Sequence, residues 1–195
     1  MRTIARLLLA AILIVPFHPH SFAVSDQRPD LDSEEYTVYS FMIKDSEFLE
    51  VIKDHTVTNR SSPFSMDDDL ERVRKQVPEI SKETLADFKA KNAKDYALSP
   101  KLKPQGKYVF ISDEEMSHIF SGDNLDKSWK SFKKRYPRSR GYGGFSRVGF
   151  NPDKSEALLF SEISCGSLCG SGSYVYLVRK NAEWTIVKQI QVWIS

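Results

Sequence analysis

Residues 145–195 read FSRVGFNPDKSEALLFSEISCGSLCGSGSYVYLVRKNAEWTIVKQIQVWIS, and the reading of this stretch decides the fold. Short apolar-rich runs alternate with turn formers, which is the texture of strand, turn and strand again. Phe145 to Phe150 predicts one strand. Asn151-Pro152-Asp153-Lys154 predicts a turn, because proline fixes φ and the Asn and Asp side chains bond their own backbone. Glu156 to Ser164, Tyr174 to Arg179 and Trp184 to Ile194 supply three more strands, the last two joined tightly through Lys180-Asn181-Ala182-Glu183. Under strict alternation Trp184, Ile186, Ile190, Val192 and Ile194 share one face, interrupted by Lys188. Thr185, Gln189 and Gln191 share the other, together with Val187 and Trp193. That pattern predicts an antiparallel sheet covered on one face and partly wetted on the other.

Upstream the period becomes helical. Tyr36, Val38, Tyr39, Met42 and Ile43 are spaced for a helix within Glu34 to Phe48, and Leu49 to Thr58 is β-branched enough for a strand. Ser61-Ser62-Pro63 breaks the chain there. Ser65 caps a helix whose opening turn holds Asp67, Asp68 and Asp69, where the helix dipole favours acids. Pro78 closes it, and Ser81-Lys82-Glu83-Thr84 leads into the next. Lys101 to Lys107 reads as a linker and Tyr108 to Ile111 as a short strand. Ser112 with Glu115 matches a capping box that opens a short helix to Phe120. Asp126 to Tyr136 is a further helix. The expected fold class is α+β, with N-terminal helices packed on a C-terminal four-stranded antiparallel β-meander.

The first 23 residues carry the grammar of a secretory signal peptide. Arg2 and Arg6 precede the apolar run Leu7 to Val15, Pro16 ends it, and Ser21-Phe22-Ala23 offers small residues at a cleavage site before Val24. Nine apolar residues are too few to span a bilayer. The expected organisation is a signal peptide over 1–23, a flexible lead-in over 24–35 and a single domain over 36–195, periplasmic or secreted. The chain holds 28 basic and 26 acidic residues, so losing Arg2 and Arg6 leaves 26 − 26, formally neutral. Global charge therefore gives no reason to expect nucleic acid as a partner. No later apolar stretch suits a membrane span, so an integral membrane protein is not expected either.

Cys165 and Cys169 are the only cysteines. In an exported chain a C-x₃-C pair reads first as a local disulfide. Four extended residue steps reach up to ~14 Å, whereas bridged Cα atoms lie within ~7 Å, so the segment must turn, and Gly166 and Gly170 permit it. A redox pair and a metal half-site are the sharper alternatives. The C-x₂-C spacing of thioredoxin-like enzymes is absent, and His55 and His118 are distant in sequence, so no metal and no cofactor is expected. His118 follows Glu114 by one helical turn and reads as solvent-facing; His55 shows no partner. Asp67-Asp68-Asp69 lacks the alternation of a calcium loop. No catalytic residue is assigned.

The strongest charge feature is the run of Lys127, Lys130, Lys133, Lys134, Arg135, Arg138 and Arg140 without an intervening acid. On a helix Trp129, Phe132 and Tyr136 line one side and Lys127, Lys130 and Lys134 another. This is a packed helix with a solvated basic face, and its functional alternative is contact with an anionic envelope surface or acidic partner.

Phe145-Ser146-Arg147-Val148-Gly149-Phe150-Asn151, the Cys165-Gly166-Ser167-Leu168-Cys169-Gly170 turn, Trp184 and the ending Val192-Trp193-Ile194-Ser195, with Val38-Tyr39-Ser40 upstream, together resemble a recurring family of exported bacterial proteins of unknown function. The resemblance implies fold and export but no activity, so it assigns no catalytic residue. The final hairpin is also similar to the closing strands of nuclear-transport-factor-2-like cones. The functional expectation is a non-catalytic binding or inhibitor-type protein whose partner is another protein or an envelope component. The alternatives are a thiol redox protein using Cys165 and Cys169 or a small hydrolase.

Overall fold

Asp32 opens the first helix by accepting a hydrogen bond from the Glu34 amide, and α1 then runs Ser33–Ile43. A computed structural model describes residues 31–44, 46–58, 65–98 and 107–195. The signal-peptide reading, the break at Ser61-Ser62-Pro63 and most of the 101–107 linker lie outside the described residues. Leu31 is buried and α1 starts at Ser33. The folded unit therefore takes in residues 31–35, which the sequence reading gives to the lead-in.

The elements that follow are β1 (Glu50–Lys53), α2 (Met66–Gln76), α3 (Lys82–Lys91), β2 (Tyr108–Ile111), α4 (Asp113–Ile119), α5 (Leu125–Arg135), β3 (Tyr142–Phe145), β4 (Gly149–Phe150), β5 (Glu156–Gly166), β6 (Cys169–Lys180) and β7 (Glu183–Ile194). Ser65, Ser81 and Ser112 cap their helices through the side chain, and Ser65 forms a full capping box with Asp68.

The expected four-stranded antiparallel meander is overturned. The described strands form one seven-stranded mixed sheet in the order β2-β1-β3-β5-β6-β7, with β4 beside β5. β1 pairs parallel with both β2 and β3, while β3, β4, β6 and β7 join antiparallel. The sequence reading finds strands at both Leu49–Thr58 and Tyr108–Ile111 but leaves them out of the sheet. Parallel partners need crossover connections, here α2–α3 and α4–α5, and no local pattern announces which strand a crossover returns to.

The single strand expected over Phe145 to Phe150 is also corrected. β3 and β4 both lie along β5, and Ser146 to Val148 leave the ladder between them. The detour is held by a buried polar knot. Glu35, fully buried on α1, accepts from Arg147 Nη2 at 2.6 Å, Arg147 Nε at 3.3 Å and the Val148 amide at 2.9 Å. Asn92 accepts from the Arg147 amide at 2.8 Å and donates to the Arg147 carbonyl at 3.0 Å. Tyr39 donates to the Ser146 carbonyl at 2.8 Å, and Ser146 Oγ accepts from the Phe160 amide at 2.7 Å. Each polar backbone group freed by the break thus acquires a partner, as burial demands.

Helices cover one face of the sheet and part of the other. On one, Tyr36, Tyr39 and Ile43 of α1 pack on Ile52, Phe145, Leu159, Val175, Leu177 and Trp184. On the other, Val73 of α2 and Phe88 of α3 pack on Leu158, Phe160, Tyr174, Tyr176 and Ile190. Further along that second face, Trp129 and Phe132 of α5, with Tyr136 just after it, cover Val51 and Ile111. β7 cannot be read by strict alternation, because its register with β6 shifts twice, between Tyr176 and Leu177 and between Gly172 and Ser173. Each bulge inserts one residue and inverts the parity. Trp184 therefore joins the α1 side while Ile190 and Val192 join the α2–α3 side.

Candidate functional site

Ile52, Gly143 and Ile163 form one row across β1, β3 and β5 on the face that α1 covers. Gly143 puts no side chain in the row, so it leaves a trough between the two isoleucines. The glycine is required by the backbone: a Cβ there would lie 2.6 Å from the Glu162 carbonyl oxygen. The neighbouring row adds Phe145 and the small Ser161. The C-terminal half of α1 forms one wall through Phe41, Met42 and Ile43, and Ile186 of β7 closes the far end. The result is an open groove of about 500 Å³, lined more by apolar than by polar surface. That size lies in the range of small-molecule sites.

Charge gathers at the mouth. Lys44, Glu50 and Arg140 all line the groove. The Glu50 carboxylate accepts from Ser46 Oγ and lies 3.5 Å from Arg140 Nη2. Arg140 also covers the Phe48 ring at 5.0 Å, and Lys44 covers the Phe41 ring at 4.5 Å. Glu162 also lines the groove but is paired with Lys53 at 2.8 Å, so Lys44 and Arg140 face one remaining carboxylate, that of Glu50. An anionic group entering there meets charge-assisted donors, and an apolar chain behind it meets Phe41, Met42 and Ile186.

A second, more polar cleft lies at the carboxyl ends of β1 and β2, lined by Asp54, His55, Asp95, Tyr96 and Asp113. His55 Nδ1 is 3.0 Å from Asp54 and Nε2 is 3.8 Å from Asp113. The sequence reading gives His55 no partner; the adjacent Asp54 was the available signal. Among the described residues no group of three or more His, Cys, Asp or Glu side chains is arranged to hold a metal ion.

The residues singled out from sequence fall elsewhere. Cys165 and Cys169 sit at disulfide distance, Cα atoms 5.0 Å apart, at the tip of the β5–β6 hairpin. Lys127, Lys130, Lys133, Lys134, Arg135, Arg138 and Arg140 are all exposed. Of these, Arg135 pairs with Glu115, which draws that carboxyl below its ordinary value, and Arg140 pairs with Glu50. Only Arg140 reaches the groove. His118 is exposed on α4, away from both clefts. Asp67 pairs with Lys89 and Asp68 completes the Ser65 cap. Sequence reasoning missed Lys44, Glu50 and Gly143, whose roles depend on three separate elements meeting.

Among the described residues no helix is long and apolar enough to cross a membrane. Comparison of the chain with family models, curated proteins and solved structures finds no match.

Proposed function

We propose that this chain is a non-catalytic binding protein of the periplasm or cell exterior, and that its groove takes an amphipathic anion. The observation that carries the reading is the pairing of an apolar trough, opened by Gly143, with the Lys44 and Arg140 cations at its mouth. Export is supported by the signal-like order of residues 1–23 and by cysteines at disulfide distance, an arrangement at home in oxidising compartments. Membership of the exported family that the chain resembles belongs to the same proposal.

Titration calorimetry with dodecanoate and with uncharged dodecanol tests it. The carboxylate binds more tightly than the alcohol, Arg140→Glu with Lys44→Glu weakens it by ~10-fold or more, and Ser161→Phe, which fills the trough, abolishes both. Equal affinity for all three proteins and both ligands would refute the reading. The runner-up, a thiol redox protein or small hydrolase, rests on Cys165 with Cys169 or on the Asp54–His55 pair. Its signature is a disulfide-exchange or esterase activity lost in Cys165→Ser or His55→Ala.

A further inference from the structure

The β5–β6 hairpin turns through Ser167 and Leu168, with Cys165 and Cys169 closing the tip behind them. Leu168 projects with 88% of its surface exposed. Such exposure of a large aliphatic side chain at a covalently closed tip leaves it with no packing role in the domain. The tip does not stand alone. Ser167 Oγ donates to Asp126 on the first turn of α5 at 2.5 Å, which fixes the hairpin against that helix. Leu125, the residue before Asp126, is 48% exposed.

On an α-helix, residues three, four, seven and eight apart share a face. From Asp126 that stripe continues through Lys130, Lys133 and Lys134. All three are exposed, and no ion pair holds any of them among the described residues, whereas Arg135 is paired with Glu115. The opposite side of α5 is spent on the core through Trp129 and Phe132. Beside the projecting Leu168 this surface presents Asp126, bonded to Ser167, and then Lys130, Lys133 and Lys134, so three cations outnumber one carboxylate, while Leu125 falls on the Trp129–Phe132 side of the helix. A protruding apolar residue flanked by cations complements the water–lipid boundary, where apolar atoms enter the acyl region while ammonium groups meet anionic headgroups.

We propose that the Leu168 tip and the Lys130–Lys133–Lys134 stripe form one docking face for an anionic lipid bilayer. None of these residues lines the groove beside α1.

The test is co-sedimentation of the chain, as recovered from expressing cells, with phosphatidylglycerol–phosphatidylcholine vesicles and with phosphatidylcholine vesicles, variants beside the parent. The parent partitions onto the anionic vesicles and is released as salt is raised. Lys130→Gln with Lys133→Gln and Lys134→Gln weakens that partitioning by ~30-fold or more. Leu168→Asp weakens it by roughly 10-fold, through the lost apolar contact and the added negative charge. All the altered side chains are exposed, and melting curves matching the parent confirm that the variants fold. Equal binding to both vesicle types, or either variant binding like the parent, overturns the proposal. Loss on removing the lysines with no effect of Leu168→Asp also overturns it, since the stripe would then serve a soluble acidic partner.

Discussion

Glu35 has no exposed surface, yet it carries three hydrogen bonds that hold the chain where β3 gives way to β4. Arg147 is itself mostly buried and lies over the Tyr96 ring at 4.6 Å. Burial alone would pull its pKa down, but the Glu35 bonds outweigh burial and raise it. Breaking such a pair strands the partner charge in the interior. Glu35→Ala is expected to cost ~3–5 kcal/mol in urea unfolding, while Arg135→Ala, whose pair is largely solvated, should change stability by at most ~1 kcal/mol. Comparable losses would show that the knot is not the anchor described here. Asp32 makes a pH prediction. Its hydrogen bond from Lys154, with that from the Glu34 amide, holds its carboxyl below 3.8. A carboxyl depressed on folding stabilises the native state above its unfolded value and loses that contribution as pH falls through the folded one. The Asp32 contribution is thus intact above about pH 5 and fades below about pH 4. Stability measured from pH 5 to pH 2 should fall less steeply in Asp32→Asn, which keeps the helix cap but cannot ionise. Identical slopes would remove Asp32 from the acid response.

The β6–β7 connection is the element where local sequence and geometry disagree. Asn181 and Ala182 both adopt positive φ, 52° and 67°, as a two-residue hairpin of the favoured twist requires. Asn tolerates that region; the Ala methyl crowds the backbone. Ala182→Gly should therefore raise stability by about 1 kcal/mol in thermal unfolding, and a decrease would mean that this turn is not in the left-handed region. The same hairpin marks how far the sequence could be read. Its turn, the serine caps at Ser65, Ser81 and Ser112, and the helical spacing of Trp129, Phe132 and Tyr136 are local signals, and each corresponds to an element found. The parity of β7 was not legible, because its bulges arise from pairing with β6 and leave no mark in the composition of residues 183–194. Nor was the parallel placement of β1 between β2 and β3, which depends on where two helical crossovers return. The SRVGF run at 146–150 reads from sequence as continuous strand. Its interruption is visible only once Glu35, Tyr39 and Asn92 arrive from α1 and the end of α3.

At the scale of the molecule, the sheet is the partition on which everything else is arranged. α2, α3 and α5 seal one face with interlocking aromatic and aliphatic side chains, whereas α1 covers only part of the other. The uncovered part is where Gly143 and Ser161 leave the row of side chains low. The groove is thus a consequence of sheet packing: β3 approaches β5 so closely at Gly143 that a side chain is excluded, and the space above stays open to a ligand. Its charged mouth is assembled from Lys44 at the end of α1, Glu50 of β1 and Arg140 just before β3. The most direct measurement is amide chemical-shift mapping during titration with dodecanoate. If this groove is the binding site, the largest shifts fall on residues 41–44, Gly143, Ile163 and Ile186, and saturate together. Shifts centred on the Asp54–His55 cleft, or no saturable shifts around Gly143, would contradict the account.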